Sequence, residues 1–219
     1  MTPSVTSTSE GQKTQGQAGT TAAQNGDALV RLVNVDSRGS GVDIVWGDKK
    51  FFSGVAYKST TPYKEAPRGT VQFKLRAAGG TEDLSAGHVE LLPGRHYTLV
   101  AFPDQKGGTR LEILSDKLGL LDLGEARVRL INATTDVDDL DLFLAGTKNR
   151  ILHGADSGRT AIMSFADMMA GTVEIRSPSR PAPTLLAKLD VEADRLYTFI
   201  VVGSAGALDV VQTVDRTGP

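Results

Sequence analysis

Apolar and polar residues alternate along Val71-Gln72-Phe73-Lys74-Leu75-Arg76 and again along Val173-Glu174-Ile175-Arg176. This period of two sets one face of a strand against a core and the other in water. Turn signals punctuate the apolar runs at Gly47-Asp48, Gly79-Gly80, Pro93-Gly94 and Gly107-Gly108, then at Gly146, Gly158, Gly171, Pro181 to Pro183 and Gly203 to Gly206. The spacing predicts about seven short strands in each half of the chain. The one helix expected is short, around Ser164 to Met169.

The pattern is duplicated. Ala28-Leu29-Val30-Arg31-Leu32-Val33-Asn34-Val35 aligns with Ala126-Arg127-Val128-Arg129-Leu130-Ile131-Asn132-Ala133 at an offset of 98, with five of eight positions identical. Val42-Asp43-Ile44-Val45 meets Leu140-Asp141-Leu142-Phe143, Gly69-Thr70-Val71 meets Gly171-Thr172-Val173, and Arg95-His96-Tyr97-Thr98 meets Arg195-Leu196-Tyr197-Thr198. Such self-similarity marks repeated structural units. The chain therefore divides into a tail at 1–26, a first copy at 27–115, a joint at 116–125 and a second copy at 126–219.

Seven alternating strands in about 90 residues suggest a two-sheet sandwich of immunoglobulin-like type. The expected fold is all-β, with two tandem seven-stranded immunoglobulin-like β-sandwich domains after a disordered tail. Leu91 to Tyr97 has the spacing of a tyrosine corner, and Tyr197 holds the matching place in the second copy, so Tyr97 and Tyr197 are read as structural.

Composition narrows the chemistry. The 219 residues include no Cys, so there is no disulfide, no zinc-thiolate site and no thiol nucleophile. With 24 Lys+Arg against 26 Asp+Glu, no basic excess is available to hold nucleic acid. No transmembrane segment is expected, because no apolar stretch approaches the roughly 18 residues of a helical span. Seventeen of the first 26 residues are Thr, Ser, Gln or Gly. Such a tail buries too little apolar surface to offset its chain entropy and is expected to be disordered. It reads either as the loose end of a cytosolic protein or as the tether of an exported one shown without its leader, and its composition favours the second.

Candidate sites are few. Asp136, Asp138 and Asp139 form a weak calcium candidate, since three carboxylates in four residues could supply part of an oxygen shell. The equivalent stretch of the first copy keeps only Asp43, matching Asp141, which favours a solvated strand end. The histidines at 88, 96 and 153 have no metal-ligand spacing, and no nucleophile elbow occurs. No cofactor and no catalytic set are expected. Arg31 and Arg129 recur between inward-facing apolar residues, so they should point outward, and Asn34 and Asn132 recur where the first strand ends. These four either form a paired binding site or are surface arginines and turn-forming asparagines. Phe51, Tyr57 and Tyr63 could line an exposed aromatic patch in the first copy. Residues 27–115 carry a formal +2 and residues 126–219 a formal −2, which allows the copies to face opposite partners or each other.

The shared Val-Arg-Leu-x-Asn opening, the Val-Asp or Leu-Asp strand, the Gly-Thr-Val entry and the late Tyr-Thr strand together resemble the bacterial domain-of-unknown-function family 4397. That resemblance implies tandem, secreted β-sandwich domains. A weaker likeness is to the alginate O-acetylation accessory proteins of the AlgF type. It is carried by Thr109 to Ile113 running into Ser115-Asp116, by the joint into Ala126 to Asn132, and by Arg195 to Phe199. It implies a periplasmic or cell-surface, non-catalytic accessory of exopolysaccharide modification, with envelope or acetyltransferase-complex proteins or polysaccharide as partners. The alternative is a cell-surface adhesin or carbohydrate-binding module.

Overall fold

The computed structural model describes residues 27–104, 107–156, 165–177 and 184–218. The tail at 1–26, Ser164 and the turns expected at Gly158 and at Pro181 to Pro183 lie outside the described residues. In chain order the first copy holds β1 (Ala28–Asn34), β2 (Val42–Trp46), β3 (Lys49–Val55), β4 (Ser59–Thr60), β5 (Lys64–Ala66), β6 (Gly69–Ala77), β7 (Asp83–Leu91), β8 (His96–Pro103) and β9 (Thr109–Asp116). The second holds β10 (Glu125–Asn132), β11 (Leu140–Leu144), β12 (Arg150–Ala155), β13 (Phe165–Met169), β14 (Gly171–Ser177), β15 (Thr184–Val191), β16 (Arg195–Ser204) and β17 (Ala207–Arg216).

Each copy folds into two sheets. In the first, β4 and β5 share one edge of β1, followed by β8 and β9, and the facing sheet runs β3-β2-β6-β7. The second repeats this as β13-β10-β16-β17 and β12-β11-β14-β15. The fold is all-β and sandwich-like, but two expectations change. Among the described residues each body has four strand positions per sheet, not seven strands in all, and its first two strands lie in opposite sheets. An immunoglobulin sandwich keeps them side by side in one sheet. The helix expected near Met169 is the edge strand β13, paired antiparallel with β10 from Glu125↔Met169 to Arg129↔Phe165. Ala and Met favour helix locally, and pairing with a buried neighbour decides otherwise.

Among the described residues, three apolar clusters hold the molecule. Two are the sandwich cores, around Val30, Leu32, Ile44, Phe73 and Leu99 and around Val128, Leu130, Leu142, Ile175 and Phe199. The third is formed by Val33, Val35, Val100, Phe102 and Leu114 of the first copy against Ile131, Ala133, Ile200, Val202 and Val211 of the second. The four sheets therefore stack in series, with the β1 and β10 sheets inside and their central strands β1, β8, β10 and β16 buried on both faces. This accounts for apolar residues at consecutive positions in β1, β8, β10 and β16 where β6 and β7 alternate. A strand covered on both sides has no face that needs polar residues.

Recurring polar residues stitch each sandwich together. Asp43 accepts from Gly54 N–H (2.7 Å), Gly79 N–H (3.1 Å) and Lys50 Nζ (2.6 Å). Asp141 likewise accepts from Gly154 N–H (3.0 Å) and Arg150 (3.2 Å). Gly54 and Gly154 stand at φ 60° and 70°, where the register of β3 and β12 shifts. The Tyr97 hydroxyl accepts from Leu92 N–H and donates to the Glu90 carbonyl, and Tyr197 accepts from Glu192 N–H.

Candidate functional site

β1 pairs with β8 in parallel, placing Arg31 beside Thr98, and β10 with β16 in parallel, placing Arg129 beside Thr198. Both arginines lie on the strand face turned away from their own core. That face is covered by the other copy, so Arg31 is 4% exposed and Arg129 fully buried. Arg31 donates from Nε to Thr98 Oγ1 (2.8 Å) and from Nη1 and Nη2 to both carboxylate oxygens of Asp215 (2.9 and 2.7 Å). Arg129 donates from Nε to Thr198 Oγ1 (3.0 Å) and from Nη2 to Asp116 Oδ1 (2.6 Å). Asp116 Oδ2 also accepts from Thr98 Oγ1 (2.6 Å) and from the Tyr63 hydroxyl (2.9 Å).

The exchange is reciprocal. His96 pairs with Asp116 in the first copy and Leu196 with Asp215 in the second, and His96 and Leu196 hold equivalent registers against β1 and β10. Asp116 and Asp215 are therefore the same position, and each copy's arginine binds the other copy's aspartate. Ring contacts repeat as well: the Arg31 guanidinium lies 4.6 Å from the Tyr63 ring centre, and that of Arg129 5.1 Å from Phe165. Burial, then the Asp116 charge, raises the pKa of Tyr63 above its ordinary value, and burial raises that of Asp215 against the pull of Arg31. Burial lowers His96, which packs edge-on against Tyr63 at 4.9 Å.

The arginine network occupies the joint end of the interface, the third apolar cluster its middle, and a cleft of about 550 Å³ its far end. Cleft walls come from the ends of β1, β8, β10 and β16: Val35, Ser37, Arg38, Tyr57, Pro103 and Asp104 on one side, Ala133, Thr135, Gly203, Ser204 and Ala207 on the other. Arg38 is held by Asp36 through Nε (2.8 Å) and Nη2 (2.9 Å). Burial opposes ionisation of Asp36, but bonds from Arg38 and Thr109 outweigh it and hold the carboxyl below its ordinary range. Lys58 lies 5.2 Å over the Tyr57 ring and pairs with Asp209 of the second copy at 2.6 Å. Gly203 forms the cleft lip at φ 98°, and a Cβ there would fall 2.2 Å from the Ala207 carbonyl oxygen.

The structure disperses several residues that the sequence groups. Phe51 is in the first core, with ring centres 4.8 Å from Phe52 and 5.6 Å from Phe73. Tyr57 lines the cleft and Tyr63 joins the arginine network, so the three form no single exposed patch. Their strand faces differ, and spacing along a loop does not reveal them. Asn34 and Asn132 are buried: Asn34 donates to the Val55 carbonyl, and Asn132 to those of Val137 and Ala155. Asp136 accepts from Ala205 N–H on the β16 to β17 turn, while Asp139 is raised by sharing a hydrogen bond with Asp156. Among the described residues, no three acidic or histidine side chains converge as metal ligands. Sequence reading took the arginines as outward-pointing and missed Asp116 and Asp215 as their partners, although the two aspartates hold equivalent places near the ends of β9 and β17.

Comparison with known proteins gives three results. A candidate cell adhesion protein of Bacteroides uniformis is 10% identical, covering 88% of this chain and 99% of that chain at a TM-score of 0.28. A streptococcal virulence factor studied for alpha-glucan binding is 9% identical, covering 87% and 97% at 0.27, and a candidate cell adhesion protein of Bacteroides eggerthii is 10% identical, covering 90% and 98% at 0.24. No curated protein matches the chain significantly. The likeness to alginate accessory proteins is not shown by any of these comparisons. The family model for the domain of unknown function DUF4397 matches residues 28–143, the whole first copy and the opening strands of the second. This is just over half of the chain, which belongs to the DUF4397 family.

Proposed function

We propose that this is a non-catalytic binding protein of the cell surface or envelope, which holds a glycan in the cleft between its two copies. The supporting observation is the chemistry of the cleft wall. Ser37, Thr135 and Ser204 supply hydroxyls, Arg38 and Asp104 a donor and an acceptor, and Tyr57 a ring beside the apolar Val35 and Ala133. Sugars present hydroxyls at their rims and C–H faces between them, so a site for them combines a few oriented polar groups with an apolar or aromatic surface. Both copies contribute, which gives the duplication a use. The opposite charges of Arg38 and Asp104 suit a neutral sugar better than a polyanion.

The test is calorimetry and array binding of the whole chain with alpha-glucan and alginate oligosaccharides. Saturable binding that Tyr57→Ala abolishes is expected, with the neutral oligosaccharide preferred. Absence of glycan binding, together with specific co-purification of acetyltransferase components, would favour an accessory role in exopolysaccharide modification instead.

A further inference from the structure

The copies differ at the open edge of the sandwich, where the outer edge strand faces the inner one. Strand registers make Trp46, Phe51 and Lys64 of the first copy equivalent to Leu144, Ile151 and Ala166 of the second. In the first copy this edge is filled by rings, with Trp46 and Phe51 centres 6.0 Å apart. Lys64 caps them: its Nζ lies 4.8 Å from the Phe51 ring centre and donates to the Phe51 carbonyl at 3.2 Å. In the second copy these three side chains are smaller, while Met168 stands where the first copy has Ala66. There the edge holds a pocket of about 380 Å³ lined by Leu144, Ile151, Ala166, Met168 and Asn149.

We propose that this pocket binds an aromatic ring bearing a cationic amine. The ring takes the volume that Trp46 and Phe51 fill in the first copy, and the amine takes the place of the Lys64 ammonium. The volume suits a bicyclic ring, and Met168 supplies an adaptable wall that favours aromatic contact. The acceptor also has a counterpart, because the Phe51 carbonyl that accepts the Lys64 hydrogen bond corresponds to that of Ile151. Charge points the same way: residues 126–219 hold 10 Lys+Arg against 12 Asp+Glu, while the first copy is net positive. The pocket is separate from the cleft between the copies and does not depend on how that cleft is used.

Tryptamine, indole and indole-3-acetate are titrated into the full chain by calorimetry and by methyl chemical-shift mapping. Tryptamine should bind at one site per chain with a Kd below roughly 1 mM, shifting the methyls of Leu144, Ile151 and Met168. Indole should bind more weakly and indole-3-acetate most weakly. Ala166→Lys, at a half-buried position on an edge strand, should weaken tryptamine by about tenfold or more and leave indole within about threefold. The double exchange Leu144→Trp with Ile151→Phe should abolish binding of all three. The proposal is overturned by absence of saturable tryptamine binding, by shifts confined to other residues, by equal affinity for indole-3-acetate, or by unchanged tryptamine affinity in Ala166→Lys.

Discussion

Arg129 of the second copy and Asp116 of the first form an ion pair at 2.6 Å in which both side chains are sealed from solvent. Among the described residues, neither has a charged partner of comparable closeness within its own sandwich, so the pair ties the order of one copy to the other. Removing one member of such a pair leaves an uncompensated buried charge, at a penalty of about 3–5 kcal/mol. Asp116→Asn should therefore lower the midpoint of urea unfolding strongly, and Asp215→Asn less, because the Asp215 side chain is 10% exposed. Equal midpoints for the two variants and the parent would show that the interface is not what holds the copies.

The same network sets a dependence on pH. His96 is held below its ordinary 6.5 by burial. It therefore contributes its full share of stability above pH 6.5, and that share is lost as pH falls towards its folded value. Asp215 acts in the opposite sense. Burial raises it above 3.8, so its contribution is complete below pH 3.8 and is lost as pH rises through its folded value. His96→Phe should flatten the fall in melting temperature just below pH 6.5, measured against the parent in matched buffers. An unchanged slope would remove His96 as the titrating group.

The duplication, the strand periods and the tyrosine corner spacing were legible because each is local. The interface was half legible. Period two correctly turned Arg31 and Arg129 away from their own cores but could not say what covers that face. The stronger signal was the apolar residues on that same face, Val33 and Val35 with Ile131 and Ala133 in the second copy, which a solvated face would not keep. Edge strands were hardest to read. Pro62 separates β4 from β5, since proline lacks the N–H that would continue the edge ladder, and β13 is only five residues long. The cleft was illegible because its walls come from strand ends far apart in sequence.

Gly203 is the most constrained point of that cleft. At φ 98°, with the Ala207 carbonyl oxygen 2.2 Å from any added Cβ, Gly203→Ala must shift the β16 to β17 turn. A residue held in such a backbone region costs about 1–3 kcal/mol. Thermal unfolding should show a loss of that order, and any glycan affinity should fall with it. Gly206→Ala, where an added Cβ meets nothing within 4 Å, should leave both nearly unchanged, and a comparable loss there would dissociate the effect from strain at Gly203.

Isolating the first copy tests the reciprocity of the interface. A chain of residues 27–116 would present Val33, Val35, Val100, Phe102 and Leu114 to water, together with Arg31 deprived of Asp215. Burying apolar side chains of this size is worth roughly 1.5–3 kcal/mol each, so the exposed face favours association. What it should associate with follows from the equivalence of Asp116 and Asp215. A second molecule of the same fragment, related by a two-fold axis, offers its own Asp116 where Arg31 meets Asp215 in the intact chain, and the exchange then holds in both directions as an isologous contact requires. The fragment should sediment as a dimer, and Arg31→Ala should shift it towards monomer or aggregate. A fragment that remains monomeric at high concentration would mean that the face is matched to the second copy specifically, with the sequence differences between β9 and β17 deciding the pairing.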